Sequence, residues 1–248
     1  EAQKIDEAMT ISSIITMSLV KPDKPLPRPY KNYDLIYQIH PVVSLDSIPE
    51  DHRQTIVKSE KQADGNYITT LRVKSEPKQV GRISGKKEEP DPKYMEETAE
   101  VQSQHPMIRA LARELSADSK SKWKLAKDIN LWVHLNLKKE MVDTVTALDA
   151  LLERRGECQS HTFLFTALAR ASGIPTRIVN GLVYSKEYEG FLYHAWPEVF
   201  VGEWRAMDPT FGQDRADATH IKLTQNSDEN PFRMMEFVGK ISIGWSSP

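Results

Sequence analysis

The sequence predicts an α+β chain: a larger part with helices packed on an antiparallel sheet, preceded by a β-rich N-terminal region. Three observations predict this. Apolar residues alternate along parts of the first eighty residues, then switch to helical spacing after about residue 104. Four helix-like segments follow one another as far as Gly173. From residue 176 onward the alternation returns, broken by turn residues.

The elements are justified in order. Residues 11–20, ISSIITMSLV, are the longest apolar candidate, well short of the ~20 residues a membrane span needs. Residues 21–29, KPDKPLPRP, carry prolines at 22, 25, 27 and 29, which remove backbone donors and fix φ, so an extended connector is expected. Residues 33–39 alternate like a half-buried strand. In residues 66–74, Tyr67, Thr69, Leu71 and Val73 share one face, behind the turn Asp64-Gly65-Asn66. Residues 84–97, SGKKEEPDPKYMEE, are charged and interrupted by proline, and read as a linker. The expected division is a β-rich domain over 1–83 that folds separately, a linker over 84–103 and a core over 104–248.

Within the core, Ile108, Leu111, Ala112 and Leu115 suit a first helix. Leu125, Ile129, Trp132, Val133 and Asn136 suit a second, with Ser119 or Ser121 as N-cap. A third covers Thr146 to Leu152 and is stopped by Gly156. The fourth begins near Cys158, carries an apolar stripe of Phe163, Leu164, Ala167, Leu168 and Ala171, and closes at Gly173. Residues 176–184 read as a strand. Residues 193–201 and 204–208 flank Gly202-Glu203 as a hairpin, and 220–223 and 240–243 supply further strand material.

Composition narrows the function. Hydrophobic residues are 39% and charged residues 27%, enough apolar material for a core and too little charge bias for disorder. Net charge is −2 with both signs interspersed, so no basic stripe marks a nucleic-acid partner and no basic amphipathic helix marks a membrane. One cysteine forms no intrachain disulfide, so cysteine usage leaves the compartment open. The chain begins at Glu1 rather than Met, which reads as trimming and favours export to a periplasmic or extracellular space.

The single thiol, Cys158, follows Gly156-Glu157 at the expected start of a helix. Unpaired N–H groups and the positive end of the dipole favour thiolate there. A small buried hydrophobe is the other reading of a free cysteine. A nucleophilic thiol needs a base, and the base an orienting group. If the hairpin closes through the three residues 201–203, Phe200 faces Trp204 and His194 becomes a same-face neighbour of Asp208; a two-residue loop separates them. Taken singly, His194 is also a packed strand residue and Asp208-Pro209-Thr210 an ordinary turn opener. His161, one helical turn after Cys158, lacks an evident partner and reads as structural. Cys158, His161, His194 and Asp208 lack the paired spacing of a zinc site, so no metal ligand is assigned. His40, His52, His105, His134 and His220 have no comparable context. Phosphate-loop, dinucleotide-binding, HExxH and GxSxG patterns are absent from the sequence.

The stretches GECQSHTFLFTALARASGIPTRIVNGLVY and YHAWPEVFVGEWRAMDPTFG together resemble the transglutaminase-like superfamily of papain-type fold, in its bacterial cysteine-protease form. The resemblance covers roughly residues 105–225 in three ordered blocks: Gly-x-Cys with its helix ending in Gly-Ile-Pro-x-Arg, His-Ala-Trp, and Trp…Asp-Pro-Thr. It implies Cys158 as nucleophile, His194 as general base and acid, and Asp208 as orienting carboxylate. Trp196 and Arg177 match framing positions. The family also uses a second oxyanion donor upstream of the cysteine, for which Asn136 is a guess. The implied activity is hydrolysis of an amide or peptide bond in a protein or peptide substrate, through a thioester. Protein-glutamine acyl transfer is the alternative on the same chemistry, and a non-catalytic binding module is a third. No cofactor is implied, and the acidic loop of a calcium site is absent from the sequence. No oligomeric state is implied.

Overall fold

A computed structural model describes residues 19–45, 48–78, 89–142, 146–225 and 237–248. Most of residues 11–20 and the first part of the expected linker lie outside the described residues. The N-terminal region forms β1 (Asp34–Val42), β2 (Gln54–Lys61) and β3 (Tyr67–Lys74). The core forms α1 (Pro106–Ser116), α2 (Lys122–Asn136), β4 (Lys138–Lys139), α3 (Ala147–Glu153), β5 (Arg155–Gly156) and α4 (Cys158–Ala171). It continues with β6 (Thr176–Ser185), β7 (Gly190–Phe200), β8 (Trp204–Ala206), β9 (Ile221–Gln225) and β10 (Ser242–Ser246). The chain is α+β, with a β-rich N-terminal region.

Local chemistry explains the helix ends. Ser121 caps α2 by accepting from the Lys124 N–H at 3.2 Å, which decides between the two serines. Thr146 caps α3 in the same way, accepting from the Asp149 N–H at 3.1 Å. The residue that ends α3 is Arg154, in the left-handed region at φ 56°, and not Gly156 as expected. Helix α4 is buried on most of its circumference rather than along one stripe: Leu164, Phe165, Ala167, Leu168 and Ala169 are all inaccessible. It runs through the middle of a core built from the helices together with Ile178 of β6, Val199 of β7 and Met207.

Strands β8, β7, β6 and β9 form an antiparallel sheet in that spatial order. A second antiparallel sheet has the order β10, β1, β3, β2, and this corrects the expected division into separate domains. Strand β10 comes from the C-terminal end of the chain and pairs with β1 from Ile36↔Ser246 to His40↔Ser242. The second core mixes Leu35, Tyr37, Leu71 and Val73 of the N-terminal strands with Leu182, Phe191, Leu223 and Ile243. The N-terminal region is therefore built into the rest of the molecule.

The proline-rich connector is not the extended segment expected: it bends at residues 23–24 and 27–28, Arg28 adopts the left-handed region at φ 47°, and a 3-10 turn begins at Pro29. Nor is it free of the rest of the molecule. Val20 exchanges two 2.8 Å backbone hydrogen bonds with Phe191, the Asp23 N–H donates to Ile243, and Leu26 is buried. The described part of the expected linker is also packed. Tyr94 meets the Trp204 ring edge-on at 5.0 Å, and Val101 and Ser103 are inaccessible.

One close approach locks the central sheet. A Cβ on Gly181 would lie 1.9 Å from the Ile221 carbonyl oxygen and 2.8 Å from Trp196. Gly181→Ala is expected to push β9 off β6 and cost about 1–3 kcal/mol, read as a lower denaturation midpoint. An unchanged midpoint would show that the two strands tolerate separation.

Candidate active site

Cys158 is the first residue of α4, reached through a constrained turn. Strand β5 pairs in parallel with β4, and Gly156 has φ 154°. A Cβ there would sit 2.2 Å from the Ser160 side chain, so only glycine lets the chain cross the first turn of α4 this closely. Cys158 as a residue is half-buried.

His194 and Asp208 come together by strand register. The pairs Phe200↔Trp204, Val199↔Arg205 and Glu198↔Ala206 place the loop at Val201, Gly202 and Glu203, with Gly202 in the left-handed region at φ 102°. Of the two loop lengths that the sequence leaves open, this is the three-residue one. His194 Nε2 donates to Asp208 Oδ2 at 2.7 Å, with both residues buried. The remaining ring nitrogen, Nδ1, is left for the Cys158 sulfur, which His194 and the Ala195 N–H both hydrogen-bond. Thr162, one turn into α4, donates to the Ala195 carbonyl at 3.0 Å and ties the helix start to β7. The His194 ring is nearly parallel to two aromatic rings, Phe211 at 5.1 Å and Trp196 at 6.2 Å. Lys139 stands over the Phe211 ring at 5.1 Å.

The electrostatics follow from these contacts. Burial alone would push the His194 pKa down, but the Asp208 charge and the bonds to Asp208 and Cys158 outweigh it and raise it to about 10. Burial pushes the Cys158 thiol up, and the His194 hydrogen bond and charge outweigh that and lower it. Burial also opposes the charge on Asp208, while His194 and His220 hold its pKa below the usual carboxylate range. All three shifts favour thiolate with imidazolium.

Other expected residues have different places. His161 directs Nδ1 at the Glu157 carbonyl at 2.8 Å, and burial lowers its pKa, so it braces the start of α4. Asn136 is exposed, and its amide donates to the Trp132 carbonyl of its own helix at 2.8 Å. Arg177 forks onto Glu198 at 2.6 and 2.7 Å and stacks on Trp204 at 4.1 Å, framing the β7–β8 hairpin.

Sequence reasoning missed His220 and Asp217. His220 is inaccessible and donates from Nε2 to Asp208 Oδ2 at 3.0 Å and from Nδ1 to Asp217 Oδ1 at 3.2 Å. Asp-x-x-His before a short strand has no distinctive spacing from Asp208, and the packing of the loop after β8 alone brings them together. Asp217 also lines a cleft of about 470 Å³ with Tyr30, Tyr33, Lys78 and Arg215; Cys158, His194 and Asp208 are not part of that lining.

Among the described residues, His194, Asp208 and His220 offer ligand atoms within 4.8 Å of one another. Two ligands of one tetrahedral ion at about 2.1 Å each stand about 3.4 Å apart. The 2.7 and 3.0 Å separations to Asp208 Oδ2 are those of atoms sharing a proton.

The family model described as the transglutaminase-like superfamily matches residues 109–209, a span that holds Cys158, His194 and Asp208 and excludes His220 and Asp217. A crystal structure of a "Putative Cysteine Protease" from Cytophaga hutchinsonii aligns over 87% of both chains, with a TM-score of 0.54 and 17% identity, which is likeness of fold. The periplasmic domain of TgpA from Pseudomonas aeruginosa aligns over 75% of both chains, with a TM-score of 0.46 and 19% identity. An uncharacterized protein of Mycobacterium leprae is 38% identical over 72 residues, 26% of this chain and 25% of that protein, so the match spans about a quarter of that relative's length. Among the described residues, no helix is long and apolar enough to cross a membrane.

Proposed function

Since residues 109–209 are a transglutaminase-like domain, we propose that this protein is a thiol-dependent amide or peptide hydrolase working through Cys158, His194 and Asp208. The observation that carries the reading is the unbroken hydrogen-bonded sequence from the Cys158 sulfur through His194 to Asp208, with the sulfur at a helix N-terminus.

The thiolate attacks the substrate carbonyl carbon and the carbonyl oxygen takes the negative charge. The Cys158 N–H, unpaired at the helix start, donates to that oxygen; losing one such donor typically costs about 10²–10³ in rate. His194 gives its Nδ1 proton to the leaving amine as the carbon–nitrogen bond breaks, and a thioester remains on Cys158. His194 then takes a proton from water, whose oxygen attacks the thioester, and the thiolate leaves as the acid is released. Asp208 keeps the ring oriented and offsets its charge throughout. Water is the acceptor in this reading; an amine in its place would give acyl transfer.

Glutamine-containing peptides incubated with the enzyme, with and without an added amine and followed by mass spectrometry, test the reading. Expected are hydrolysis products whether or not amine is present, and none with Cys158→Ala. A product carrying the amine in place of the hydrolysed one would make the protein an acyltransferase. Unchanged peptides, together with a Cys158 that alkylates no faster than a free thiol, would leave a binding module.

The pH dependence has a definite sign. Activity should rise as Cys158 ionises below its ordinary range, and fall as His194 loses its proton near about 10. An alkaline fall near the ordinary imidazole pKa, about 6.5, would mean that Asp208 does not hold the cation.

A further inference from the structure

Asp208 carries a second imidazole that the mechanism above does not use. His220 is inaccessible and bonded at both ring nitrogens, to Asp208 at 3.0 Å and to Asp217 at 3.2 Å. Each carboxylate has further donors. Asp208 Oδ1 accepts from the Thr210 and Phe211 N–H groups at 2.8 and 3.3 Å. Asp217 accepts from the Thr219 N–H and hydroxyl at 2.8 and 2.6 Å, and from Gln213 at 2.9 Å. An ionised carboxylate only accepts, so both nitrogens of His220 must donate, and the ring is a cation. The site is therefore a line of alternating charge: thiolate 158, imidazolium 194, carboxylate 208, imidazolium 220, carboxylate 217.

We propose that His220, anchored by Asp217, is a positioning residue for this site: it holds the Asp208 carboxylate in place for His194, and its positive charge sets the pH range over which Cys158 and His194 stay ion-paired. The proposal rests on the hydrolase reading above.

The two imidazoles share one oxygen, Asp208 Oδ2, and approach from β7 and from the turn before β9. Their ring centres are 6.1 Å apart, so the charge on one acts on the other. Trp196 packs edge-on against His220 at 5.3 Å and keeps water from that contact. The ionisable groups facing the pair are His194 from β7, Asp208 after β8, Asp217 before β9, His161 from α4, which feels Asp208, and His134 from α2, which His161 feels. Removing the His220 cation makes the surroundings of Cys158 and His194 more negative. Thiolate then forms at higher pH, and imidazolium persists to higher pH. Both limbs of the pH profile slide upward together, which loss of packing alone does not do.

The experiment measures Cys158 alkylation by iodoacetamide, and peptide turnover, across pH for wild type, His194→Ala, His220→Gln and His220→Leu, each checked for folding by its thermal melt. His220→Gln keeps a neutral donor for Asp208. Its profile should shift up by about half a unit at both limbs, with its plateau rate within about threefold of wild type. His220→Leu should show the same shift with a plateau at least about tenfold lower, because Asp208 Oδ2 is then held from one side only. Profiles of both variants that superimpose on wild type would overturn the proposal. So would a lower plateau without a shift, the mark of a structural role. If wild type itself shows no His194-dependent thiolate at low pH, the hydrolase reading fails, which is a separate result. Should neither variant fold, nitrogen-15 histidine spectra of His52→Gln protein decide, with the exposed ring on Glu76 removed. Two rings protonated at both nitrogens are expected above the ordinary imidazole range, and one ring alone would overturn the proposal.

Discussion

Asp208→Asn is expected to lower turnover by about 10³–10⁴-fold while leaving the protein able to bind substrate. Asp208 accepts four hydrogen bonds, two from imidazoles and two from backbone N–H groups, and its side chain is inaccessible. An amide of the same shape keeps the backbone bonds through its oxygen. Its NH₂ group then points at two ring nitrogens that are themselves donors, so at least one ring must give up its proton. His194 loses the charge that raises its pKa, Cys158 loses the cation that lowers its own, and the ion pair collapses to thiol and neutral imidazole. The measurement is kcat/KM with the alkylation profile beside it. Activity within about tenfold of wild type would show that the carboxylate is dispensable.

Stability should follow the same charges. Asp208 has a depressed pKa, so its contribution is complete above the ordinary carboxylate range and is lost as pH falls below it. His194 has a raised pKa, so its contribution is complete below about 6.5 and is lost as pH rises through about 10. Both are present in full from about pH 5 to 6.5, where this site contributes most to the folded state.

Glu76→Ala is expected to have the largest effect on folding, about 3–5 kcal/mol. Glu76 follows β3, and its side chain is inaccessible. One oxygen accepts from Arg205 of β8 at 2.6 Å and from His52 at 2.9 Å. The other accepts from the Ala206 N–H at 3.1 Å and lies 3.8 Å from Arg53. Burial opposes its charge, and its partners still hold its pKa below the ordinary value. Without it, Arg53, only 2% exposed, loses the carboxylate 3.8 Å away, and the equally buried Arg205 loses one of its two carboxylate partners and keeps Glu203. This carboxylate also joins the N-terminal region to the strand that leads into Asp208, so Cys158 reactivity should fall with stability. Denaturant midpoints and alkylation rates check both effects. A loss below about 1 kcal/mol would mean that the region is only loosely joined to the rest.

The parts of this molecule that follow local rules were legible in the sequence. Gly-x-Cys before an apolar helix, a serine cap at 119 or 121 and a hairpin loop around Gly202 each depend on neighbours in the chain. That loop sets the register that brings His194 to Asp208. Other features depend on partners far along the chain. Strand β2 is exposed along most of its length, so its residues barely alternate. Strand β10 is a short segment whose place beside β1 is set by a shared core, and no local pattern announces that pairing. The charged stretch before residue 98 reads as a linker, although Tyr94 within it is buried on Trp204. His220 and Asp217 are missed for a different reason. The buried cation between two carboxylates arises from the way one connection, residues 207–220, folds back on itself between β8 and β9, and each residue alone has the look of turn chemistry.

Cys158 is the sole thiol, so the ultraviolet absorbance of its thiolate can be titrated by difference from Cys158→Ala, which cancels the tyrosines, in wild type and in His194→Ala. The sulfur that meets a charged ring should ionise well below an ordinary thiol's range in wild type, and return to about 8.5 once the ring is gone. Identical curves for the two proteins would mean that sulfur and imidazole do not share a proton, and the enzyme described here would not exist.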